Sequence, residues 1–247
     1  MQLLQRCPAP RVSRQAQRGV AARVSSSAPS ATSSQHAVPG HPDIKKVLYS
    51  EEELKACCSR LGQEIGRDYA GKHLILVGVL KGSYMFCADV ARAIHPPPPI
   101  CELEFLKASS YGVGATETTG TVKIDGGFSM ASVTGKHVLL CEDIIDSGLT
   151  LTKVTELIRT QGKPTSIKVV TLLDKRERRK VHFDADYVGF NIANEFVVGY
   201  GIDYSERFRF LPFIGVPTDE AVARIAAECA AFNASNGEAQ APVKGVH

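Results

Sequence analysis

The sequence lacks the signatures of several large classes of protein. No apolar run in its 247 residues approaches the roughly 20 residues that a membrane span needs. Its seven cysteines include no C-x-x-C pair, which argues against a zinc site or a disulfide framework and favours a reducing compartment. The chain also has no G-x-x-x-x-G-K-[ST] and no glycine-rich dinucleotide motif, so neither P-loop nor dinucleotide-cofactor chemistry is indicated.

Acidic residues are absent from residues 1–42, which hold five arginines and are rich in serine, alanine and glutamine. This composition is typical of a transit peptide for a plastid or a mitochondrion. The alternative is a disordered extension on a cytoplasmic protein. Without those arginines the chain has 24 basic against 26 acidic residues, a net charge of −2. We therefore expect neither nucleic acid nor a membrane among the partners.

One stretch in the middle of the chain organises the rest. The apolar run 138–141 predicts a buried strand, and two adjacent carboxylates, Glu142 and Asp143, follow it. A small hydroxyl-bearing loop, 146–150, then leads into apolar residues at helical spacing up to Gly162, where a glycine is a plausible helix stop. The pattern predicts a strand, an acidic edge, a small loop and a helix.

A small polar loop before a helix is suited to bind an anion. Free backbone N–H groups and the helix dipole both face such a loop. Ser147 and Thr150 add hydroxyl donors, and Gly148 lets a phosphate approach the backbone. The carboxylates beside the loop can accept hydrogen bonds from ribose hydroxyls. The stretch therefore indicates a site for a phosphorylated ribose, with a surface turn bearing solvated acids as the alternative.

This stretch resembles the phosphoribosyl-pyrophosphate (PRPP) motif of type I phosphoribosyltransferases, an apolar strand followed by E-D-x-x-x-[ST/D]-[GS]-x-T. Residues 198–209 resemble the V-G-Y-x-x-D-Y-x-E-x-x-R segment of the same family, and residues 210–216 resemble the end of its short, bacterial-type 6-oxopurine branch. The resemblance implies an α/β fold, a mainly parallel sheet flanked by helices with a small hood from both ends of the domain. The ligand would lie at the C-terminal ends of the strands.

The resemblance covers the middle of the chain, and composition and apolar periodicity assign its two ends. The phosphoribosyltransferase domain would span residues 43–217, after the extension 1–42. Residues 218–247 would form a C-terminal helix, capped by Thr218 and with Phe232 on its apolar face, and then a disordered tail from residue 233. The implied reaction joins hypoxanthine or guanine to the phosphoribosyl group of PRPP, with Mg²⁺ as cofactor, in a homodimer or homotetramer.

Apolar periodicity predicts the other elements of the domain. Ser50 and Glu53 fit a capping box at the start of a helix that runs to Tyr69. The stretch 108–121, rich in Ser, Gly and Thr, predicts a long loop, and Ser110 and Tyr111 match the family's catalytic flap. The remaining predictions are strands at 74–80, 101–107, 121–124, 167–173, 186–190 and 195–198, and a helix at 83–94.

The resemblance also assigns residues to PRPP. Glu142 and Asp143 would lie beside the ribose hydroxyls, and Lys81, Gly82 and Arg209 would meet pyrophosphate. In this family the peptide bond before the residue matching Lys81 can be cis. The 5′-phosphate would be held by Asp146, Ser147, Gly148, Leu149 and Thr150.

The purine and the metal complete the implied site. Asp146 would be the general base toward the purine imidazole ring, with helix capping as the alternative role. Lys175 would donate to O6 and so reject adenine, while the other basic residues of 176–180 would form a solvated face. Phe196, which alone would be assigned to the core, would stack on the base. Val197 and Asp203 would read the remaining edge of the base. Mg²⁺ would be bound near Asp203, Glu142 and Asp143.

Two alternatives to this activity follow from the sequence. One is a related transferase that prefers xanthine or guanine, because the purine C2 position is read mostly by backbone atoms. The other is a PRPP-sensing regulator without catalysis. Against the regulator stand Asp146, Lys175, Asp203 and Arg209, all present together, and the lack of a basic helix-turn-helix pattern.

Overall fold

The computed structural model describes residues 41–110, 122–125 and 127–235. Within these ranges the chain forms strands and α-helices in alternation over much of its length. In chain order they are β1 (Ile44–Tyr49), α1 (Glu51–Asp68), β2 (His73–Leu80), α2 (Tyr84–Ala93), β3 (Ile100–Ser110), β4 (Val122–Asp125), β5 (His137–Ile145), α3 (Leu149–Leu157), β6 (Ser166–Asp174), β7 (Tyr187–Asn191), β8 (Ile214–Pro217) and α4 (Asp219–Ser235).

The main sheet has six strands in the order β4-β3-β2-β5-β6-β7. Every neighbouring pair is parallel except β3 and β4, which are antiparallel. Successive side chains of β2 alternate between two cores: Leu76 packs on one side of the sheet with Phe86 of α2, and Val77 packs on the other with Val154 of α3. Burial on both faces explains why the central strands are almost continuously apolar. The predicted sheet with helices on both faces is confirmed.

The first helix begins at the predicted capping box. The Ser50 Oγ accepts a hydrogen bond from the Glu53 N–H at 3.3 Å, and the Ser50 N–H donates to Glu53 Oε2 at 2.8 Å. Two of the N–H groups that a helix start leaves without partners are thereby satisfied. The C-cap is Tyr69, so the predicted end of this helix is also confirmed.

A two-stranded antiparallel sheet, β1 with β8, forms the hood. The first strand and the last strand of the domain therefore pair, and the Thr218 N–H donates to the Asp43 carbonyl at 2.8 Å. Helix α4 packs beside them with Ile225 buried against Val198 and Tyr204. The Thr218 hydroxyl accepts a hydrogen bond from the Ala221 N–H at 3.1 Å, as its predicted role as a helix cap requires.

Strand β3 is longer than predicted. It runs to Ser110 rather than to residue 107, because β4 pairs with its far end from Lys107↔Asp125 to Ser110↔Val122. The first residues of the predicted loop at 108–121 are therefore strand. Tyr111 and the rest of that loop lie outside the described residues.

Two predictions near the C-terminal end of the domain are wrong. Residues 195–198 are not a strand: Val198 makes an isolated bridge to Gly215, and the chain then turns at Gly199, whose φ is +103°. Helix α4 continues through Ser235, past the predicted start of disorder. Phe232 is 64% exposed rather than on the buried face, because the apolar contacts of this helix are made nearer its start.

The predicted extension and tail lie largely beyond the described part of the chain. Residues 1–40 and 236–247 fall outside it. In the ranges that are described, no helix combines the length and apolar character needed to cross a membrane.

Candidate active site

The C-terminal ends of three adjacent parallel strands bring the main predicted site residues together. Lys81 follows β2, Asp146 follows β5 and Lys175 follows β6, and these three strands are neighbours in the sheet. Ligands in open α/β sheets bind at this edge, where loops rather than strands line the crevice. The topology therefore places the candidate site where the sequence predicted it.

The small loop after β5 leads directly into α3, which begins at Leu149. Gly148 lies at the N-cap position with φ +78°, a conformation that favours glycine. The Ser147 Oγ accepts a hydrogen bond from the Leu149 N–H at 3.4 Å. The first N–H groups of a helix have no partner within it and point out along the helix axis, so this loop is built to receive an anion.

The acidic pair lies between this loop and the loop after β2. Asp143 is buried, and its Oδ1 accepts a hydrogen bond from the Ile144 N–H at 2.8 Å. A Cβ built on Gly82 would lie 1.7 Å from the Asp143 Oδ2, so the loop after β2 rests directly against this carboxylate. Desolvation, and then the charge of Asp143, raise the pKa of Glu142 well above its usual range. This crowded pair is suited to hydroxyl donors or a cation.

The loop after β2 also contacts the hood. Its Leu80–Lys81 peptide bond is cis, the geometry that the family resemblance allowed. A Cβ on Gly201, whose φ is +101°, would lie 2.0 Å from the Gly82 carbonyl oxygen, so the two backbones touch. The buried Ser83 hydroxyl donates to the Val79 carbonyl at 2.7 Å. These contacts fix the loop between β5 and residues 199–203.

A charge network joins the two cations predicted to meet pyrophosphate. Glu206 lies between them: its Oε1 is 3.0 Å from Lys81 Nζ and its Oε2 is 3.2 Å from Arg209 Nη2. Arg209 also pairs with Asp203 at 2.8 Å and donates to the Gly201 carbonyl at 2.8 Å. The hydrogen bond from Lys81, more than any other contact, lowers the pKa of Glu206. No role was predicted for Glu206 from the sequence, although this residue stands in the matched E-x-x-R part of the motif.

Asp203 is held from two sides. Its Oδ1 pairs with Arg209, and its Oδ2 accepts a hydrogen bond from the Glu206 N–H at 2.7 Å. Among the residues that the structure describes, no three His, Cys, Asp or Glu side chains cluster as a metal site would require. A preoriented carboxylate such as Asp203 fits Mg²⁺, which takes few protein ligands and draws the others from phosphate and water.

Lys175 is almost fully buried at the end of β6, with 1% of its surface exposed. Its backbone N–H donates to the Ile145 carbonyl at 3.0 Å, which ties the ends of β5 and β6 together. Burial lowers the pKa of the Lys175 ammonium, an effect that the Asp146 carboxylate opposes and Arg178 reinforces. A buried ammonium is a demanding donor, since it discriminates against any ligand group that cannot accept its hydrogen bond.

The predicted solvated basic face after Lys175 is wrong in part, because three of its arginines make ion pairs. Arg176 pairs with Asp174 at 3.3 Å. Arg178 pairs with Asp146 through two hydrogen bonds. Arg179 pairs with Asp174, which is fully buried, and donates to the carbonyls of Ile145 and Asp146 at 3.0 and 2.8 Å. A buried carboxylate and carbonyls at a strand end need donors, so the aspartate at the end of β6 was the signal for such a partner.

The two predicted base-contacting residues of the hood differ in burial. Phe196 is half-buried and meets Tyr204 edge to face, with ring centroids 5.4 Å apart. Val197 is buried in the main core. Phe196 therefore packs on the hood core, the role that its residue type alone suggested, while part of its ring is open to solvent.

Comparison with known proteins identifies the family. The family model for the phosphoribosyl transferase domain matches residues 46–205. The chain is a member of the phosphoribosyltransferase family. It is 46% identical over 175 residues to the hypoxanthine-guanine phosphoribosyltransferase of Staphylococcus aureus, a match that covers 71% of this chain and 94% of that protein.

Two further relatives agree with this family. The bifunctional protein TilS/HprT of Listeria monocytogenes is 49% identical over 176 residues, 71% of this chain. The match spans only 26% of the length of that relative. A crystal structure of a hypoxanthine phosphoribosyltransferase from S. aureus superposes with a TM-score of 0.67 at 46% identity, covering 73% of this chain and 95% of that one. The predicted type I fold of this phosphoribosyltransferase is thus confirmed.

Most of the predicted site residues of this phosphoribosyltransferase lie on the loops at one edge of its sheet or in the hood segment that meets them. Ser110 ends β3, the parallel neighbour of β2, at this same edge of the sheet, and its flap partner Tyr111 lies outside the described residues. The residues that sequence reasoning missed are Arg178, Arg179 and Glu206. Each makes a charged contact with a residue that had been assigned a role.

Proposed function

We propose that this protein transfers the 5-phosphoribosyl group of PRPP to N9 of hypoxanthine or guanine, giving IMP or GMP and pyrophosphate in purine salvage. One observation carries the proposal. The loops at one edge of the sheet and the adjoining hood segment hold all the parts that the reaction needs. These parts are the anion-binding loop at the start of α3, the acidic pair, the two cations bridged by Glu206, and the side chains of Asp146 and Lys175. Each part of PRPP and of a 6-oxopurine has a chemically matched partner there.

The chain's own residues account for the steps of this transfer. The bond from C1′ to pyrophosphate breaks, the bond from C1′ to N9 forms, and the purine proton passes to the Asp146 carboxylate as general base. As pyrophosphate leaves, positive charge develops on the ribose, and the acidic pair lies beside the place where the sugar would bind. Lys81 and Arg209 would hold the departing anion.

We infer that Mg²⁺ is the cofactor, with Asp203 as the nearest carboxylate and Glu142 and Asp143 close to the ribose end. When bound, the ion would neutralise charge on the phosphate oxygens. The network that orients Asp203 supports this assignment, because a preoriented carboxylate loses little freedom on binding an ion.

Selection of the base is assigned to Lys175. Its buried ammonium would donate to O6 of hypoxanthine or guanine, where adenine presents an amino group instead. A site built to donate a hydrogen bond rejects the analogue that lacks the acceptor by roughly 10⁴-fold or more. Phe196 would stack on the base, and Val197 and Asp203 would read its remaining edge.

A nucleotide-formation assay tests the proposed function. The full chain is given Mg²⁺ and PRPP, and hypoxanthine, guanine, xanthine and adenine are offered separately. Turnover of hypoxanthine and guanine without adenine is the expected result, and the rate with xanthine ranks the related transferase activity. If no base is turned over while PRPP still binds, the PRPP-sensing regulator becomes the better description.

Glu206 should weaken pyrophosphate binding, because its carboxylate competes with the anion for Lys81 and Arg209, the two cations that would hold it. Glu206→Gln keeps the side-chain shape and removes the charge. We expect pyrophosphate to inhibit this variant more strongly, with an inhibition constant lower by roughly two- to fivefold, the scale of exposed ion pairs. Glu228→Gln is the matched control, because Glu228 pairs with Arg207 and Arg224 on the hood surface. Weaker inhibition would instead give Glu206 a supporting role toward Lys81 and Arg209.

We propose that residues 1–42 direct the protein to a plastid or a mitochondrion, as their acid-free, arginine-rich composition supports. A chain that begins at Asp43 should then keep full activity, since it retains β1 from Ile44 and the Asp43 carbonyl that accepts from the Thr218 N–H. The same leader fused to a fluorescent protein should carry it to one of these organelles. An inactive truncation, or a reporter that stays cytoplasmic, would contradict the transit-peptide assignment.

We infer a homodimer or homotetramer. Cys101 and Leu103 lie on the same face of β3 and are both exposed, and apolar surface of this kind is suited to contact between subunits. Light scattering of the purified chain measures the oligomeric state directly.

A further inference from the structure

The Asp146 carboxylate forms an ion pair with Arg178. The Arg178 Nε donates to its Oδ1 at 2.9 Å, and Nη2 donates to its Oδ2 at 3.4 Å. The two-point pairing uses the planar fork of a guanidinium against both carboxylate oxygens. The Asp146 side chain is 15% exposed, while that of Arg178 is 42% exposed. Arg178 therefore covers the carboxylate and keeps its own outer side in water.

Backbone contacts aim Arg178 at Asp146. The Lys175 N–H donates to the Ile145 carbonyl, and the Lys180 N–H donates to the Ser147 carbonyl, both at 3.0 Å. These two bonds bracket the chain on either side of Asp146 and lay residues 175–180 along it. Asp146 and Arg178 both lie inside the bracket, so the backbone holds the two side chains within reach of one another.

The pairing conflicts with the role proposed for Asp146. To accept a proton, the carboxylate must meet a purine N–H with the same oxygens that now accept from Arg178. The charged groups around it are Arg178, Lys175 across the site, and Arg179, which holds the Asp146 carbonyl. Since Lys175 remains as a nearby cation, the carboxylate keeps a favourable field after Arg178 leaves, and Arg178 can move outward into water.

We propose that Arg178 is a positioning residue. It donates hydrogen bonds to Asp146 in the absence of the purine and is displaced from the carboxylate when the base binds. The inference rests on the proposed function and adds a competition between the base and a side chain of the enzyme. Arg178 holds the Asp146 carboxylate in one orientation until the base binds. The competition weakens purine binding by the free energy needed to break a partly exposed ion pair.

Steady-state kinetics at saturating PRPP test the competition. Arg178→Met should lower the KM for hypoxanthine by roughly two- to fivefold and leave kcat almost unchanged, because the pair is already broken in the complex that reacts. Arg178→Lys keeps the charge without the two-point geometry and should fall between wild type and Arg178→Met. Arg159→Met is the control. It makes the same change in charge at another exposed arginine and should change neither constant. A raised KM or a large loss of kcat in Arg178→Met would overturn the proposal.

A spectroscopic measurement follows the pair itself without needing turnover. The Nε–H proton resonance of Arg178, assigned from Arg178→Lys, should show a bonded guanidinium in the full chain and should shift in Asp146→Asn. Addition of hypoxanthine with PRPP and Mg²⁺ should move it to the position of a solvated arginine. A resonance unmoved by a base that the enzyme turns over would overturn the proposal. Absence of turnover with an intact Arg178 signal would count against the proposed function alone.

Discussion

Asp146→Asn is expected to lower turnover of hypoxanthine by at least about tenfold, and by up to about 10⁴-fold if proton transfer limits the rate. Asparagine keeps the shape of the side chain and one oxygen that can accept from Arg178, but it cannot take up the purine proton. The loss should fall on kcat. The measurement is the initial rate of IMP formation at saturating PRPP and hypoxanthine.

A control variant and a thermal unfolding measurement distinguish a loss of catalysis from a loss of folding. Asp184→Asn is the control, because Asp184 is an exposed aspartate whose described ion-pair partner is His182 at 3.9 Å, and it should leave the rate unchanged. Thermal unfolding of the Asp146→Asn variant should match that of wild type. Equal turnover in the two variants would contradict the general-base assignment. The alternative of helix capping is already wrong, because the N-cap of α3 is Gly148 and no side chain caps that helix.

Gly82→Ala is expected to lower kcat/KM for PRPP by about 10²-fold, the penalty that a misplacement near 1 Å imposes on a reacting site. The new methyl group would lie 1.7 Å from the Asp143 Oδ2, so either the loop after β2 or the buried carboxylate must move. Both belong to the proposed PRPP site. Kinetics with PRPP varied at saturating hypoxanthine measure the effect.

A glycine elsewhere on the surface supplies the control for this variant. Gly71 has φ +74° and no atom within 4 Å of a built Cβ, so Gly71→Ala carries a backbone cost but no clash. We expect it to reduce stability slightly and to leave kcat/KM for PRPP unchanged. If Gly82→Ala retained normal kinetics, the contact between the loop after β2 and Asp143 would have no part in PRPP binding.

The sheet and its order along the chain were predictable because burial on both faces leaves a strong mark on sequence. The apolar runs at 74–80 and 167–173 match β2 and β6 to within a residue at either end. The capping box at Ser50 and the cap at Thr218 were equally predictable from the sequence, since each depends on residues three apart in the chain. Local chemistry of this kind needs no knowledge of the fold.

Other features depend on contacts between distant segments. The extra length of β3 comes from its pairing with β4, and the failure of the predicted strand at 195–198 comes from the turn at Gly199. The role of Arg178 depends on backbone bonds between residues 145–147 and 175–180. A run of arginines is usually a solvated surface, so sequence alone gave no reason to single out one member.

The pairing of β1 with β8 has a consequence for synthesis of the protein. A ribosome delivers β1 first and β8 only after the whole central sheet, so the two strands cannot pair until the end of the domain has emerged. Loop closure over so long a separation is slow. The strands that carry the phosphate-binding loops have all emerged before β8, whereas the hood is completed only when the end of the domain has left the ribosome.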